Sequence, residues 1–432
     1  MDLWRAPIAG GPVDAVVHVP GSKSIANRAL VLATVADGPS VVSNLPVGSR
    51  DLSLMLAALA ALGAEVQELA GTAVRIVPPD RREGGERRVD CGLAGTVMRF
   101  VPPVAALDSA DVTFDGDPRA RERPMGPMIA ALRGIGAAVD DGGRGALPFT
   151  VHGAGGVDGG LVEVDASASS QFVTALLLPG ARFRDGVTVR HRGEPVPSLP
   201  HIDMTVSMLA EHGVTVSCDT GDRTRATWSV EPGAVLPLDR RIEPDLSNAA
   251  PFVALAMVTG GRILVQDWPP TSRQPSSTEV FESMGATFTP TAEGMLVTGP
   301  DRITAVDVDL RDLGELVPTL TAVCLFADGP SRLRGIGHIS GHETDRLAAL
   351  ADAVAGLGGR VVAEGDGLTV TPTTLHGGRW PTFHDHRMAT CGAIIGARVA
   401  DVLVADVATT AKTFPAFPTT WEAAVRGTGR PW

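Results

Sequence analysis

The chain repeats one pattern of apolar and polar positions. Apolar residues recur three and four positions apart up to a glycine, and a short apolar alternation follows. This spacing predicts a helix, the glycine predicts its C-terminal cap, and the alternation predicts a strand. The pattern occurs at 54–66, 127–139, 206–216, 278–288 and 350–362, with a weaker copy at 419–429. Its glycines are Gly63, Gly136, Gly213, Gly285, Gly358 and Gly427.

A second series of segments runs in step with the first. Each begins with a polar or glycine-rich turn and continues as an apolar helix, at 21–33, 92–105, 167–178, 245–256, 313–325 and 385–395. The markers of the series are Ser24, Thr96, Ser170, Ser247, Glu315 and Arg387. Successive markers in both series lie 68 to 77 residues apart. Six α/β units of about 72 residues therefore account for all 432 positions.

The length and composition of the units favour two globular domains of three units over an open solenoid. The units are about twice as long as common helical repeats, and no terminal unit has a polar cap. A break at 238–245, halfway along the chain, suits a crossover between domains. We expect domain one to comprise 1–20 plus 242–432, and domain two to comprise 21–241. The strand predicted at 13–19 would complete the sixth unit.

The helix starts of the second series predict binding sites for anions. A helix N-terminus presents free N–H groups and about half a positive charge. Small, polar or basic residues stand at these starts, namely Lys23, Ser24, Arg28, Gly95, Thr96, Arg99, Ser169, Ser170, Gln171, His386 and Arg387. One such residue is usually only a structural cap. Their recurrence at equivalent points of the repeats favours small ligands with two or more anionic groups.

Composition narrows the class of protein. The formal net charge of −12 and the 4% aromatic content argue against a general nucleic-acid binder. No apolar run approaches the ~18 residues of a membrane span, and the start does not resemble a signal peptide. Four widely separated cysteines exclude a thiolate zinc site built on a CxxC pair and fit a reducing cytoplasm. Tyrosine is absent, and only two lysines, Lys23 and Lys412, accompany 35 arginines.

Seven blocks carry a resemblance to a known family. They are PGSKSIANRAL (20–30), LAGTVMRF (93–100), DPRARERPMG (117–126), SASSQF (167–172), ETDRLAAL (343–350), DHRMA (385–389) and TAKTFP (410–415). In this order they resemble the signature blocks of the 5-enolpyruvylshikimate-3-phosphate synthase family, over essentially the whole chain. The resemblance implies an inside-out α/β barrel of two domains (the enolpyruvyl transferase fold), with three βαβαββ units per domain. It also implies an active site in a cleft between the domains that closes on substrate.

The resemblance implies a reaction as well. The family condenses phosphoenolpyruvate with the 5-hydroxyl of shikimate 3-phosphate and releases phosphate, in chorismate synthesis, and it is the target of glyphosate. No metal or organic cofactor is implied, and a monomer acting on small molecules, without nucleic acid or membrane, is expected.

Site residues follow from the matching motifs. The implied shikimate 3-phosphate site comprises Lys23, Ser24, Arg28, Ser169, Ser170, Gln171, Ser198, Glu315 and His342. The implied phosphoenolpyruvate site comprises Lys23, Gly95, Arg123, Gln171, Arg346, His386, Arg387 and Lys412. Catalytic roles fall to Lys23, to Glu315 as base for the hydroxyl, and to Glu343 for proton transfer at the methylene.

Three positions depart from the pattern of many family members. His201 stands where many have tyrosine, His342 where many have lysine, and Glu315 where many have aspartate. We expect His342 to titrate near its reference pKa of about 6.5 and to hold substrate less tightly once deprotonated.

Other functions remain open at this stage. One is a related enolpyruvyl transferase that uses another hydroxyl acceptor. The UDP-N-acetylglucosamine type has a loop cysteine that the stretch DGDPRARERP lacks, so a paralogue with a different acceptor is the closer alternative. Another is a non-catalytic anion-binding protein on the same fold, although the presence of Lys23, Glu315 and Glu343 argues against it.

Overall fold

The computed structural model describes residues 2–79 and 84–427. The chain forms two compact units. The continuous unit is Ser22–Ile242, and the discontinuous unit combines Met1–Gly21 with Glu243–Trp432. The last positions of the segment 419–429 lie outside the described residues. No helix within the described ranges is both long and apolar enough to cross a membrane.

The elements follow one another along the chain as helices and short strands. The N-terminal strands are β1 Leu3–Arg5 and β2 Asp14–Val17. The helices of the continuous unit are α1 Lys23–Val35, α2 Arg50–Ala61, α3 Gly95–Ala105, α4 Pro118–Arg121, α5 Gly126–Gly134, α6 Gln171–Gly180 and α7 Leu199–Glu211. Its strands are β3 Ser40–Ser43, β4 Glu65–Glu68, β5 Val74–Val77, β6 Gly85–Asp90, β7 Ala110–Asp115, β8 Ala138–Asp140, β9 Phe149–His152, β10 Gly160–Val164, β11 Val187–His191, β12 Val216–Asp219, β13 Thr227–Val230 and β14 Arg240–Arg241.

The rest of the discontinuous unit continues in the same manner. Its helices are α8 Leu246–Thr259, α9 Thr278–Ser283, α10 Val317–Cys324, α11 Arg346–Ala355, α12 His386–Gly396 and α13 Phe417–Arg426. Its further strands are β15 Arg262–Gln266, β16 Thr287–Thr291, β17 Gly294–Thr298, β18 Asp307–Asp309, β19 Ser331–Arg334, β20 Arg360–Glu364, β21 Gly367–Thr371, β22 Gly378–Trp380 and β23 Val402–Ala405. Short 3-10 helices lie at Gly314–Leu316, Gly337–Gly341 and Val407–Lys412.

The sheets of the described chain repeat one pairing. A parallel pair of strands is extended by an antiparallel hairpin, as in β6–β7–β9–β8. The same arrangement recurs in β14–β3–β5–β4, β10–β11–β13–β12, β2–β15–β17–β16 and β18–β19–β21–β20, with a shorter version in β1–β23–β22. The predicted series of six α/β units is therefore confirmed.

The N-terminal strands do not pair as predicted from the sequence. Strand β2 pairs in parallel with β15, so the expectation that 13–19 completes the sixth unit is wrong. It completes the fourth unit, and β1 joins the sixth through β23 instead. Strand β14, which precedes α8 in the chain, likewise pairs with β3 of the first unit. The first strands of units one and four are thus exchanged. Alternation of apolar and polar residues predicts a strand but not the strand with which it pairs. That partner depends on where the chain passes from one compact unit to the other.

Helices occupy the middle of each of the two compact units. In the continuous unit α1, α3 and α6 pack on one another, and in the discontinuous unit α8, α10 and α12 do the same. These helices are buried almost all round, and the hydrophobic core of each unit runs through them. Sheets cover helices, which is the inside-out arrangement expected of the fold.

The helix-closing glycines behave as the sequence predicts. All six have positive φ, between 64° and 106°. At Gly285, where φ is 106°, an added Cβ would also lie 3.0 Å from the Pro300 ring. A residue with a side chain would be strained at such a cap, which explains the spacing of glycine along the chain.

The contact between Gly392 and Trp380 provides a test of the packing. Trp380 is fully buried and donates its indole N–H to the Met388 carbonyl at 2.7 Å. A methyl group at Gly392 would overlap this ring. We expect Gly392→Ala to lower the free energy of unfolding by roughly 1–3 kcal/mol, as overpacking does.

The matched control is Gly126→Ala, because Gly126 lies at the start of α5 with open space where the Cβ would be. Urea denaturation followed by circular dichroism measures both variants. Equal stabilities of the two variants would contradict the packing described.

Candidate functional site

In the discontinuous unit, four segments bring charged side chains together. They are the 3-10 helix before α10, the start of α11, the start of α12 and the 3-10 helix that ends at Lys412. We call their charged residues the Arg346 cluster, which comprises Glu315, His342, Glu343, Arg346, Asp385, His386, Arg387 and Lys412.

Arg346 is the centre of this cluster. Its side chain is wholly buried, and its guanidinium donates to Asp385 at 2.8 Å, to Glu343 at 2.8 Å and to Glu315 at 3.2 Å. Burial alone would lower the pKa of Arg346, but the three carboxylates hold that pKa well above its ordinary value. Removing one member of a buried ion pair costs about 3–5 kcal/mol. Arg346 thus fixes the positions of the three carboxylates.

Glu315 is the carboxylate of the cluster that reaches solvent, with 39% of its side chain exposed. Its second cationic neighbour is Arg387, whose Nε lies 3.4 Å from it. Burial would raise the pKa of Glu315, but the charges of Arg346 and Arg387 outweigh this and hold the pKa well below the usual range. Glu315 is therefore an ionised, accessible hydrogen-bond acceptor at neutral pH.

Arg387 also links two helix starts. Its backbone N–H is capped by the Asp385 carboxylate at 2.8 Å, and its guanidinium donates to the Ser247 carbonyl in the first turn of α8 at 2.7 Å. The starts of α8 and α12 are thus adjacent, and Glu315 brings the start of α10 to the same place. The helix N-termini of this unit therefore converge.

Glu343 connects Arg346 to Lys412. Its Oε1 accepts from the Lys412 ammonium at 2.5 Å, while its Oε2 accepts from Arg346. Glu343, Asp385 and the buried His386 also lie close enough to be considered as metal ligands. Since Arg346 and Lys412 bind these carboxylates, a cation would have to displace an arginine or a lysine. In this geometry the carboxylates are therefore already paired with cationic side chains.

His342 contradicts the titration expected from its sequence. The guanidinium of Arg346 donates to Nδ1 at 3.0 Å, so this nitrogen is an acceptor and the ring is neutral. Burial first, and then the charge of Arg346, lowers the pKa of His342 to about 3. The expectation that it titrates near 6.5 is therefore wrong for the folded protein, because the sequence does not show that a buried arginine faces the ring.

In the continuous unit, the buried Arg28 is held by neutral acceptors. Its guanidinium donates to the Thr205 hydroxyl at 2.8 Å and to the carbonyls of Ser24 and His201 at 2.9 and 3.1 Å, and it stacks on Phe100. Within the described residues it has no carboxylate partner. Burial lowers the pKa of Arg28 to about 9, which leaves it charged at neutral pH. A buried cation without a counter-ion favours binding of an anion nearby.

The starts of α1, α3 and α6 also meet. Asn27 donates to the Thr96 hydroxyl at 2.6 Å, which joins α1 to α3, and Arg99 donates to Gln171 at 2.7 Å, which joins α3 to α6. The N-terminal ends of three helices therefore point to one place, as in the other unit.

Gly95 lies between two guanidinium groups. A Cβ at this position would lie 2.9 Å from Nη1 of Arg99 and 3.2 Å from Nη1 of Arg123. Arg123 reaches back to the carbonyl of Leu93 at 3.5 Å. Of the three arginines that the sequence places in 117–126, Arg123 is thus the one adjacent to the helix starts, while Arg121 pairs with Asp115 and Arg119 pairs with Glu122.

The expected serine residues lie at helix starts of the same unit. Ser24 is in the first turn of α1, Ser170 is the N-cap of α6, and the Ser169 hydroxyl accepts from the Gln171 N–H at 3.3 Å. Ser198, the N-cap of α7, has a left-handed backbone with φ 54°. Such strain in a residue other than glycine is typical of functional sites.

Two carboxylates were not predicted from the sequence. Asp51, nearly buried in the first turn of α2, accepts from the Lys23 ammonium at 3.2 Å. Asp385 is fully buried beneath Arg346. The pattern HDHR indicates a role for Asp385 in the sequence, because an aspartate just before a helix often caps its N-terminus. Nothing in the sequence indicates a role for Asp51, because its partner is a lysine 28 positions earlier.

His342 also provides a test of the electrostatics. The unfolded chain binds a proton at this ring near pH 6.5, whereas the folded chain does so only near pH 3. Its contribution to stability is therefore present above pH 6.5 and is lost as the pH falls toward 3. We expect the ring resonances of His342, assigned with His342→Gln, to show no titration between pH 8 and 5. A midpoint between pH 6 and 7 would contradict this.

Comparisons with known proteins give the family. The model of the family described as EPSP synthase (3-phosphoshikimate 1-carboxyvinyltransferase) matches residues 8–421. A 3-phosphoshikimate 1-carboxyvinyltransferase of Kocuria rhizophila is 52% identical over 99% of this chain and 98% of its own. Two structures of EPSP synthase from Acinetobacter baumannii have TM-scores of 0.78 and 0.77, at 22% identity over 96% of this chain and 97% of theirs, and share the fold. The chain belongs to the EPSP synthase family.

Proposed function

We propose that this protein transfers the enolpyruvyl group of phosphoenolpyruvate to the 5-hydroxyl of shikimate 3-phosphate and releases phosphate. The observation that carries the proposal is the 52% identity, over nearly the whole of both chains, with a protein named for this activity. The cationic groups at the convergent helix starts of each unit support it, because both substrates are polyanions.

Shikimate 3-phosphate would be bound mainly by the continuous unit. Its phosphate is suited to the hydroxyls of Ser169 and Ser170 and to the ammonium of Lys23, while Arg28 provides a buried charge that the described chain does not neutralise. The remaining contacts would come from Ser24, Gln171, Ser198, Glu315 and His342. His342, being neutral, would offer its Nε2–H as a donor rather than a charge.

Phosphoenolpyruvate would be bound by arginines and lysines. Guanidinium groups bind carboxylate and phosphate through two parallel hydrogen bonds, and an ammonium acts as a compact point charge. The residues concerned are Lys23, Gly95, Arg123, Gln171, Arg346, His386, Arg387 and Lys412. Each of Arg346 and Lys412 already binds carboxylates, so the substrate would compete with or join these ion pairs.

The reaction needs a base for the hydroxyl and a proton for the methylene. Glu315, which is ionised and accessible, would accept the hydroxyl proton as the oxygen attacks the central carbon of the enol. The methylene gains a proton, giving a tetrahedral ketal. Loss of a methyl proton and of phosphate then restores the double bond. Glu343, which bridges Lys412 and Arg346, would carry the proton at this carbon.

One assay tests the proposal directly. Phosphate release from phosphoenolpyruvate is measured with shikimate 3-phosphate as acceptor and, separately, with UDP-N-acetylglucosamine. We expect release only with the former. Turnover with the nucleotide sugar, or with neither, would overturn the proposed acceptor.

The two lysines offer a sharp test of the site. A guanidinium is a broad planar fork and does not replace an ammonium among several oxygens. Lys23→Arg and Lys412→Arg should each lower kcat by about two orders of magnitude, the scale of one lost charge stabiliser, and leave the thermal midpoint almost unchanged.

The control for the lysine variants is Arg360→Lys, an exchange at an exposed position on β20. It should keep normal turnover. Near-normal kcat in both lysine variants would mean that neither ammonium takes part in the reaction.

Gly95 tests the position of phosphoenolpyruvate. In Gly95→Ala the new methyl group would force the guanidinium groups of Arg99 and Arg123 to shift. We expect KM for phosphoenolpyruvate and the inhibition constant for glyphosate to rise by on the order of tenfold each, equivalent to about 1.4 kcal/mol. KM for shikimate 3-phosphate should change little. Unchanged KM for phosphoenolpyruvate would place this substrate elsewhere.

A further inference from the structure

Both units carry the same tripeptide at the end of their third central helix. Gly180-Ala181-Arg182 begins at the last residue of α6, and Gly396-Ala397-Arg398 begins at the last residue of α12. In each unit the arginine binds a carbonyl at the end of the first central helix. Arg182 donates to the Val35 carbonyl of α1, and Arg398 donates to the Val258 carbonyl of α8. The two arginines are therefore structurally equivalent.

In the continuous unit, a carboxylate completes this arrangement. Asp37, two residues after Val35, accepts from Nη2 of Arg182 at 2.6 Å. The other oxygen of Asp37 accepts from the Val235 N–H at 3.0 Å. The arginine thus has a carbonyl and a carboxylate as acceptors.

In the discontinuous unit, the position of this carboxylate is a glycine. Gly260 lies two residues after Val258, and Arg398 stacks instead on the Phe326 ring at 5.4 Å. Within the described residues Arg398 has no carboxylate partner. Beside it lies a cavity of about 390 Å³, lined by Gly260, Met257, Ile303, Phe326 and Arg398 among others.

The charges around the cavity restrict what it can take. Asp328 lines it but is already bound by Arg302 at 3.2 Å and by the Ala305 N–H at 2.9 Å. Asp301 and the C-terminal end of α8 add negative potential. Two arginines, Arg302 and Arg398, thus line the cavity together with two aspartates. A ligand with one negative charge is therefore favoured over a dianion, and the side chains of Met257, Ile303 and Phe326 leave room for an apolar portion.

We propose that this cavity binds a small organic monocarboxylate. Its carboxylate would accept from Arg398 in the way that Asp37 accepts from Arg182, and its apolar portion would contact Phe326, Met257 and Ile303. The site lies at the C-terminal ends of α8 and α12, whereas the Arg346 cluster lies at their starts. It is thus separate from the site proposed for the transferase reaction.

The probe for a test is 3-phenylpropionate, with the uncharged 3-phenylpropanamide and sodium chloride of equal ionic strength as controls. Ligand-observed NMR titrations would measure binding to the full-length protein. We expect saturable binding of 3-phenylpropionate below about 10 mM, and at least tenfold weaker binding of the amide.

A matched pair of variants at Gly260 makes the test specific. Gly260 has φ 64°, which aspartate and asparagine adopt most readily, and an added Cβ would lie 3.6 Å from the Pro300 carbonyl oxygen, an ordinary contact. Gly260→Asp supplies an internal carboxylate, so it should weaken binding of 3-phenylpropionate at least tenfold and raise the thermal midpoint above that of Gly260→Asn. Gly260→Asn has the same shape without the charge and should still bind. Arg398→Gln should abolish binding.

Each contrary result would overturn the proposal. These results are no saturable binding to the unaltered protein, equal binding by Gly260→Asp and Gly260→Asn, or displacement of the probe by chloride at equal concentration. Phosphate release in the transferase assay should be normal in all three variants. A protein that lacked the proposed transferase activity would still give a clear result here, because binding is measured directly.

Discussion

Three buried helices begin side by side in each unit, and the chemistry of both clusters depends on this constraint. Each helix start leaves N–H groups without intrahelical partners, and the partial charges of three starts add up. Asp385 caps one start in the discontinuous unit, and Asn27, Thr96 and Gln171 tie the starts together in the other. Polar side chains gather at these ends because the sheets cover the rest of the helices with apolar contacts.

The two units differ in how the charge of their buried arginine is compensated. Arg346 is compensated by three carboxylates and is held by them in one geometry. Arg28 is buried among neutral acceptors, so its charge is uncompensated within the described residues. A compensated arginine fixes the groups around it, and an uncompensated one favours an incoming anion. A transferase that brings two anionic substrates together needs both properties.

The repeat also explains how a second site can arise away from the first. Equivalent positions in the two units share backbone geometry. A change of one side chain therefore alters the groups available for binding but leaves the backbone arrangement unchanged. Aspartate at 37 and glycine at 260 differ in this way beside equivalent arginines.

The sequence by itself determined the six repeats, the glycine caps and the helix starts that carry the site residues, because these depend on spacing along the chain. The tertiary structure decided what depends on contacts between distant residues. Strands β2 and β14 are exchanged between the first and fourth repeats because the chain passes from one compact unit to the other near these strands. The ion pair of Asp51 with Lys23 depends on the packing of α1 on α2. His342 shows the difference most clearly. A histidine at this position suggested a group that titrates near neutrality, but burial against Arg346 keeps the ring neutral. The pKa of a side chain depends on the groups that surround it in space, and these groups come from distant parts of the sequence.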